Sequence, residues 1–155
     1  MAWYKNSEGR HGENGHKGDK GEELVKQFFL SCGLRENDHV NGFKHHLDYD
    51  SQVNKKIDFT LKGETLDVKS NVKKNFHIVE IVKFNKRTNK QTIGWIASTT
   101  AKYIYPVDLD AGKIYCYEVN KMRNYIKENE SKIFVYEKNM LMKVSITEDF
   151  IKEVN

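Results

Sequence analysis

The residues best suited to chemistry lie in Ile57-Asp58-Phe59-Thr60-Leu61-Lys62-Gly63-Glu64-Thr65-Leu66-Asp67-Val68-Lys69. Ile57, Phe59 and Leu61 alternate with Asp58, Thr60 and Lys62. After Lys62-Gly63-Glu64 as a turn, Leu66 and Val68 alternate with Asp67 and Lys69. Period-two alternation around a turn predicts a β-hairpin with one apolar face. Residues two apart on a strand share a face, so Asp67 and Lys69 project together, and Asp58 projects away from Ile57 and Phe59 on the neighbouring strand. Pairing through the turn then brings two carboxylates and an ammonium to one spot. Paired carboxylates repel, and a hard divalent cation relieves that repulsion. Mg²⁺, or Mn²⁺ in its place, takes one or two carboxylates and keeps waters, leaving room for a phosphate. Such a metal polarises a phosphoryl oxygen and lowers the pKa of a bound water. Lys69 would stabilise the developing charge or orient the attacking water. An exposed hairpin face is also polar at alternate positions, so the pattern admits a purely structural reading. The acid-x-Lys tripeptide recurs at Glu130-Ser131-Lys132, in a charged helix end with no acidic strand before it.

The elements that must position these groups follow from the same periodicities. Residues 5 to 20 hold four of the ten glycines and no apolar residue, which predicts a flexible arm over residues 1–18 ahead of a domain over 19–155. A helix is expected to start near Gly21. Val25, Phe28, Phe29 and Cys32 form its apolar stripe and place Cys32 in the core, and Gly33 ends it. Phe76 to Phe84, rich in β-branched residues, reads as a third strand. Further along come a short helix near Ser98 to Lys102, a strand at Tyr103-Ile104-Tyr105 that Pro106 helps to end, and a strand from Ile114 to Val119. A helix capped by Asn120, a hairpin of Ile133–Glu137 with Met140–Ile146, and a last short helix from Thr147 complete the pattern. Together these predict a single α/β domain in which helices flank a central mixed sheet.

Composition narrows the class. The chain has 155 residues, enough for one domain with its own core. Its eight Phe, eight Tyr and two Trp argue against disorder. No apolar run approaches the roughly 18 residues of a membrane span. Met1-Ala2-Trp3-Tyr4-Lys5 lacks the start of a signal peptide, and two cysteines make no disulfide framework, so a cytoplasmic, intracellular protein is expected. The net charge is +4, and from Lys69 to Lys90 seven basic residues face one acid, Glu80. A local basic excess of this kind attracts nucleic acid, although a solvated Lys/Asn loop has the same composition. Lys73, Lys74, Lys86, Arg87 and Lys90 are the candidate phosphate contacts.

The hairpin segment resembles the core of the PD-(D/E)XK nuclease superfamily, the restriction-endonuclease-like fold. Lys17-Gly18-Asp19-Lys20-Gly21-Glu22-Glu23-Leu24-Val25-Lys26, with Gly33-Leu34 closing the helix, is similar to the first helix of the archaeal Holliday-junction resolvases of that superfamily. The resemblance spans about residues 17 to 72. It implies that Asp58, Asp67 and Lys69 are the family's paired acids and lysine, and that an acid in the first helical turn joins them. That acid is Glu22, with Glu23 as the competitor. It further implies that the Phe76 to Val82 strand continues the sheet beside Lys69, and that the chain is a metal-dependent DNA endonuclease. No proline precedes Asp58, the turn between the acids is shorter than in the resolvases, and the second half of the chain carries no match.

Duplex and branched DNA both fit, RNA stays open, and no membrane partner is expected. Cutting both strands, or a junction, needs two active sites, which makes a symmetric homodimer an expectation. The alternative is a non-catalytic nucleic-acid-binding module on the same fold. Among the remaining residues, Asp48 and Asp50 rival Asp58 as metal carboxylates but lack its apolar interleaving. His45 and His46, adjacent in an extended segment, point apart and do not share a metal. His11 and His16 read as solvated arm residues. Trp95 and Tyr103 read as core aromatics before base-stacking platforms, and Cys116 lacks a partner base for nucleophilic work.

Overall fold

The computed structural model describes residues 12–38 and 40–155. It opens with α1 (Gly12–Ser31), which begins nine residues before the expected start. The predicted arm is therefore helical from Gly12, and residues 1–11, with His11, lie outside the described residues. Gly33, at φ +82°, ends the helix as expected. Its N–H bonds Leu30 O at 3.0 Å and the Leu34 N–H reaches Phe29 O at 3.1 Å, the two bonds of a Schellman cap. Val25 and Phe29 are buried, but Cys32 is exposed, because the chain leaves the helix at that turn and its side chain never reaches the core.

Two sheets follow. β1 (Phe43–His45), β2 (Phe59–Leu61), β3 (Glu64–Lys69), β7 (Tyr103–Asp108), β8 (Lys113–Glu118) and β11 (Lys152–Glu153) form a six-stranded mixed sheet in that order, with β3 and β7 parallel and the other neighbours antiparallel. In the second sheet, β4 (Val72–Lys73), β5 (Phe76–Asn85), β10 (Asn139–Ser145) and β9 (Phe134–Tyr136) lie in order, and β6 (Lys90–Ile93) pairs with the far end of β5. Thus the strand beside Lys69 is β7 and not the Phe76 strand, which belongs to the second sheet. The chain passes from β3 through Ser70 and Asn71 into β4 and so changes sheets directly after Lys69.

The first sheet is covered on both faces. α1 packs its Val25 and Phe29 on Phe43, Phe59, Leu66, Val68 and Val107. The opposite face sends Ile104, Tyr115 and Tyr117 against Val72, Val79, Met142 and Val144 of the second sheet. Ile96 of α2 (Trp95–Ser98) and Met122 of α3 (Val119–Glu128) seal that core. The short helix lies earlier than expected because Gly94 precedes it. A Cβ on Gly94 would stand 2.2 Å from Glu80 O, so only glycine lets α2 start against the β5 backbone. β7 runs through Pro106, whose missing N–H falls where β3 ends, at the Lys69↔Pro106 pair. Asn120 does not cap α3, since Glu118 occupies the cap position. The stretch after Thr147 forms turns and then β11, paired with Cys116 and Tyr115, in place of a helix.

A buried polar chain ties the two sheets. His77 on β5 is fully buried, with Nδ1 2.6 Å from Asn71 Oδ1 and Nε2 2.8 Å from the Tyr117 hydroxyl on β8. Asn71 Nδ2 donates to Ile78 O, so its Oδ1 accepts the His77 Nδ1–H, which leaves Nε2 to accept from Tyr117. Burial, and then the charge of Lys69, push His77 down to about 3 from 6.5. The neutral ring is therefore stabilising above pH 6.5, and that contribution is lost as pH falls from 6.5 towards 3, by about 1.4 kcal/mol per unit. Urea unfolding between pH 7 and 4 should show this slope. His77→Gln, which hydrogen-bonds without titrating, should flatten it, and an unchanged slope in the variant would assign it elsewhere.

Candidate active site

The β2–β3 hairpin turns on Lys62 and Gly63, at φ +48° and +84°, the two-residue connection that matches the strand twist. Its register pairs Phe59 with Leu66 on the α1 face. One residue further along each strand, Asp58 and Asp67 meet on the opposite side, both more than nine-tenths buried. Asp58 is tied by its N–H to Leu66 O at 2.9 Å, and its Oδ2 accepts the Val68 N–H at 2.7 Å. Its other contact is the Asp67 carboxyl. Burial, the charges of Asp67 and Glu22, and the hydrogen bond shared with Asp67 hold the Asp58 carboxyl well above the usual carboxylate range. Two carboxylates in such contact must share a proton or a cation.

Lys69 lies 3.4 Å from Asp67 Oδ2, an electrostatic contact longer than a charge-assisted hydrogen bond, and that oxygen has no hydrogen-bond partner. The Lys69 ammonium also stands 5.0 Å from the centre of the Trp95 ring. Burial works against its charge, but Asp67, Asp58 and Glu80 together keep it above its ordinary value, so it is a cation.

α1 delivers Glu22. A Cβ on Gly21 would fall on the Ser70 side chain and against Val68, so the glycine lets the helix lie directly over the end of β3. Glu22 is buried and its Oε1 accepts from His45 Nε2 at 2.8 Å, while Gln52 Nε2 approaches the same oxygen at 3.5 Å. Burial raises the Glu22 carboxyl, and the hydrogen bond and charge of His45 pull the other way. The His45 ring stacks on Phe59 at 4.3 Å, which fixes its direction. Glu23 is exposed and bonds Gln27, away from this group.

Glu22, Asp58, Asp67 and Lys69 line one cleft of about 530 Å³, with Gln52, Lys56, Glu80, Lys83 and Trp95 on its walls. Among the described residues no group of three or more His, Cys, Asp or Glu side chains is placed to hold a metal ion as it stands. The donor set is the touching pair Asp58 and Asp67 with Glu22 beside it, an open all-oxygen arrangement of the kind a hydrated divalent cation takes. Asp48 and Asp50 lie outside the cleft. They are exposed and bond Ser51 N and Asn54 Nδ2 at the start of the π-helical turn Asp50–Lys55. His46 turns away from His45 to the Thr60 hydroxyl, 2.7 Å off. Burial pushes the Cys116 thiol up to about 11, which leaves it unreactive. The expected phosphate contacts are all exposed but form two groups. Lys73 and Lys74 lie at one end of β5 and Lys86, Arg87 and Lys90 at the other, about 30 Å away along ten residues of strand. The sequence weighs His45 only as a metal ligand and sets it aside, and it singles out neither Gln52 nor Glu80 for the site, because β1 has three residues and the π-turn has no period to read.

No family model matches the chain, and no curated protein matches it either. Among solved structures the fold is similar to that of a bacterial homing endonuclease, I-Ssp6803I, at 15% identity with a TM-score of 0.52, covering 89% of this chain and 82% of that one. The chain is thus a single mixed α/β domain with the fold of that protein. Among the described residues no helix is long and apolar enough to cross a membrane.

Asp58→Asn tests the carboxylate contact directly. The amide still accepts from Val68 and donates to Asp67, so in EDTA at pH 8 it should raise stability by roughly 1–2 kcal/mol. The gain should shrink towards pH 4, because the wild-type carboxyl, raised in the fold above 3.8, regains its proton there. A variant less stable than wild type at pH 8 would show that the two carboxyls do not repel.

Proposed function

We propose that this protein is a metal-dependent DNA endonuclease of the PD-(D/E)XK type, hydrolysing phosphodiester bonds in the cleft between α1, the β2–β3 hairpin and β5. The observation that carries this reading is the buried contact of Asp58 with Asp67, capped by a charged Lys69. The fold it shares with a homing endonuclease supports DNA as the substrate.

Asp58 and Asp67 would hold Mg²⁺ or Mn²⁺, with Glu22 completing the shell or holding its water. Bound there, the ion would polarise a phosphoryl oxygen and supply a water of lowered pKa. Asp67 lines the cleft with a buried Oδ2 that has no hydrogen-bond partner, and Val68 N–H fixes one oxygen of Asp58, which supports the pair as the place for a cation. His45 holds one oxygen of Glu22 and directs the other away from itself. Lys69, kept protonated, stabilises negative charge on the phosphoryl oxygens as the water oxygen bonds to phosphorus and the ester oxygen leaves; it is not the base. Lys56 and Lys83 on the walls attract the backbone phosphates.

Linear duplex, supercoiled plasmid, single strand and a four-way junction, each with Mg²⁺, Mn²⁺ or EDTA, test the proposal. Cutting should require the metal. It should fall at least 100-fold in Asp67→Ala and in Lys69→Ala, the scale of a lost charge stabiliser. Preference for the junction would place the protein with the resolvases. Salt-sensitive binding with no cutting of any substrate would instead identify a binding module.

A further inference from the structure

Beyond Val82 the second sheet narrows to two strands. The β10 ladder ends at Met140↔Val82, and only β6 accompanies β5 through Lys83↔Thr92, Phe84↔Gln91 and Asn85↔Lys90. All four residues of β6 are exposed, as are Lys83 and the turn residues Lys86 to Asn89. Ile81 is the extra residue of a β-bulge, since Met140 faces Val82 while Leu141 faces Glu80. Bulges re-aim a strand. This one sets both Glu80 and Lys83 on the wall of the catalytic cleft, joined there by Thr92 and Ile93. The ribbon thus starts at the cleft and runs outward.

Its charge is of one sign. Residues 81 to 93 contain Lys83, Lys86, Arg87 and Lys90 and no acid. Lys86 meets Glu137 at 3.5 Å, but both side chains are more than half exposed, a weak pair that a phosphate would displace. The ribbon is braced from behind: Phe84 N–H donates to Asn139 Oδ1 at 2.7 Å, and Lys138 Nζ stands 4.8 Å over the Phe84 ring. Lys138 thus covers the one aromatic ring of residues 81–93, where single-strand binders keep such faces open to stack on bases.

We propose that the β5–β6 ribbon enters the major groove of duplex DNA and seats the duplex over the cleft, a reading that rests on the proposed function above. A groove about 12 Å wide admits a two-stranded ribbon. From Lys83↔Thr92 the strands run about 7 Å further to Asn85↔Lys90 before the basic turn. Lys86, Arg87 and Lys90 contact the phosphates that border the groove, and Thr92, on the face that lines the cleft, presents its hydroxyl towards base edges.

Binding is measured in EDTA to a duplex of about 30 base pairs, to the same strand alone, and to a duplex whose cytosines carry glucosylated hydroxymethyl groups. These sugars fill the major groove and leave backbone charge unchanged. The plain duplex should bind at least tenfold tighter than the other two. Arg87→Ala with Lys90→Ala should weaken duplex binding at least tenfold and reduce its salt slope by about two, with the thermal midpoint unchanged. Equal binding of plain and glucosylated duplex, or an unaffected double variant, overturns the ribbon proposal even if wild type cuts DNA with Mg²⁺. Both effects present with no substrate cut would leave the ribbon standing and remove the nuclease reading.

Discussion

Two carboxyl groups pressed together away from water repel each other unless a proton or a cation comes between them. The hairpin register leaves Asp58 and Asp67 no other place to be, because moving either by one residue would turn Phe59 or Leu66 out of the α1 core. Hydrophobic packing on one face therefore holds a charge conflict on the other. Much of the surrounding structure answers that conflict. Val68 N–H holds one Asp58 oxygen, Lys69 leans on Asp67, and Trp95 gives the Lys69 ammonium a ring to rest against. His45 holds Glu22, itself buried and carrying charge of the same sign.

The two sheets meet at this point, which explains how an acidic group can be buried and still open to a cleft. β3 is central in the first sheet, and after only Ser70 and Asn71 the chain has become β4, the edge of the second. The wedge between the diverging sheets is filled at its deep end by the Asn71–His77–Tyr117 chain and left open at the other, where Glu80 and Lys83 form a wall. Burial of His77 as a neutral ring keeps a second positive charge from settling next to Lys69. Gly94 matters for the same reason: its missing Cβ lets α2 approach β5 closely enough to bring Trp95 to the cleft.

Much of this was written in local sequence. Alternation from Ile57 to Lys69, with Lys62-Gly63 between, specified the hairpin and so the three charges on it. The choice between Glu22 and Glu23 was not legible, because it depends on how α1 is rotated over β3, and that is set by the contact of Gly21 with Ser70. The neighbour of Lys69 was misplaced for a related reason. A parallel partner needs a crossover of about a dozen residues or more, so it cannot follow directly after a two-residue link, and β7 lies 37 residues further on, from Leu66 to Tyr103. His45 reaches Glu22 from a three-residue strand too short to show a period. The basic footprint was continuous as a string of letters and is split in space by the ten-residue reach of β5.

That spacing along the chain has a consequence for how the site comes into being. Asp58, Asp67 and Lys69 sit within twelve consecutive residues joined by a tight turn, contacts that close on the microsecond scale of hairpin formation. Glu22 and Trp95 enter from 36 residues before Asp58 and 26 after Lys69, and their arrival waits on the slower closure of long loops. The chain thus gathers its charges before it has walls to shield them. Until the distant parts dock, the acidic pair is hydrated and spared the repulsion of burial, so the conflict between them belongs to the docked fold and not to the hairpin alone.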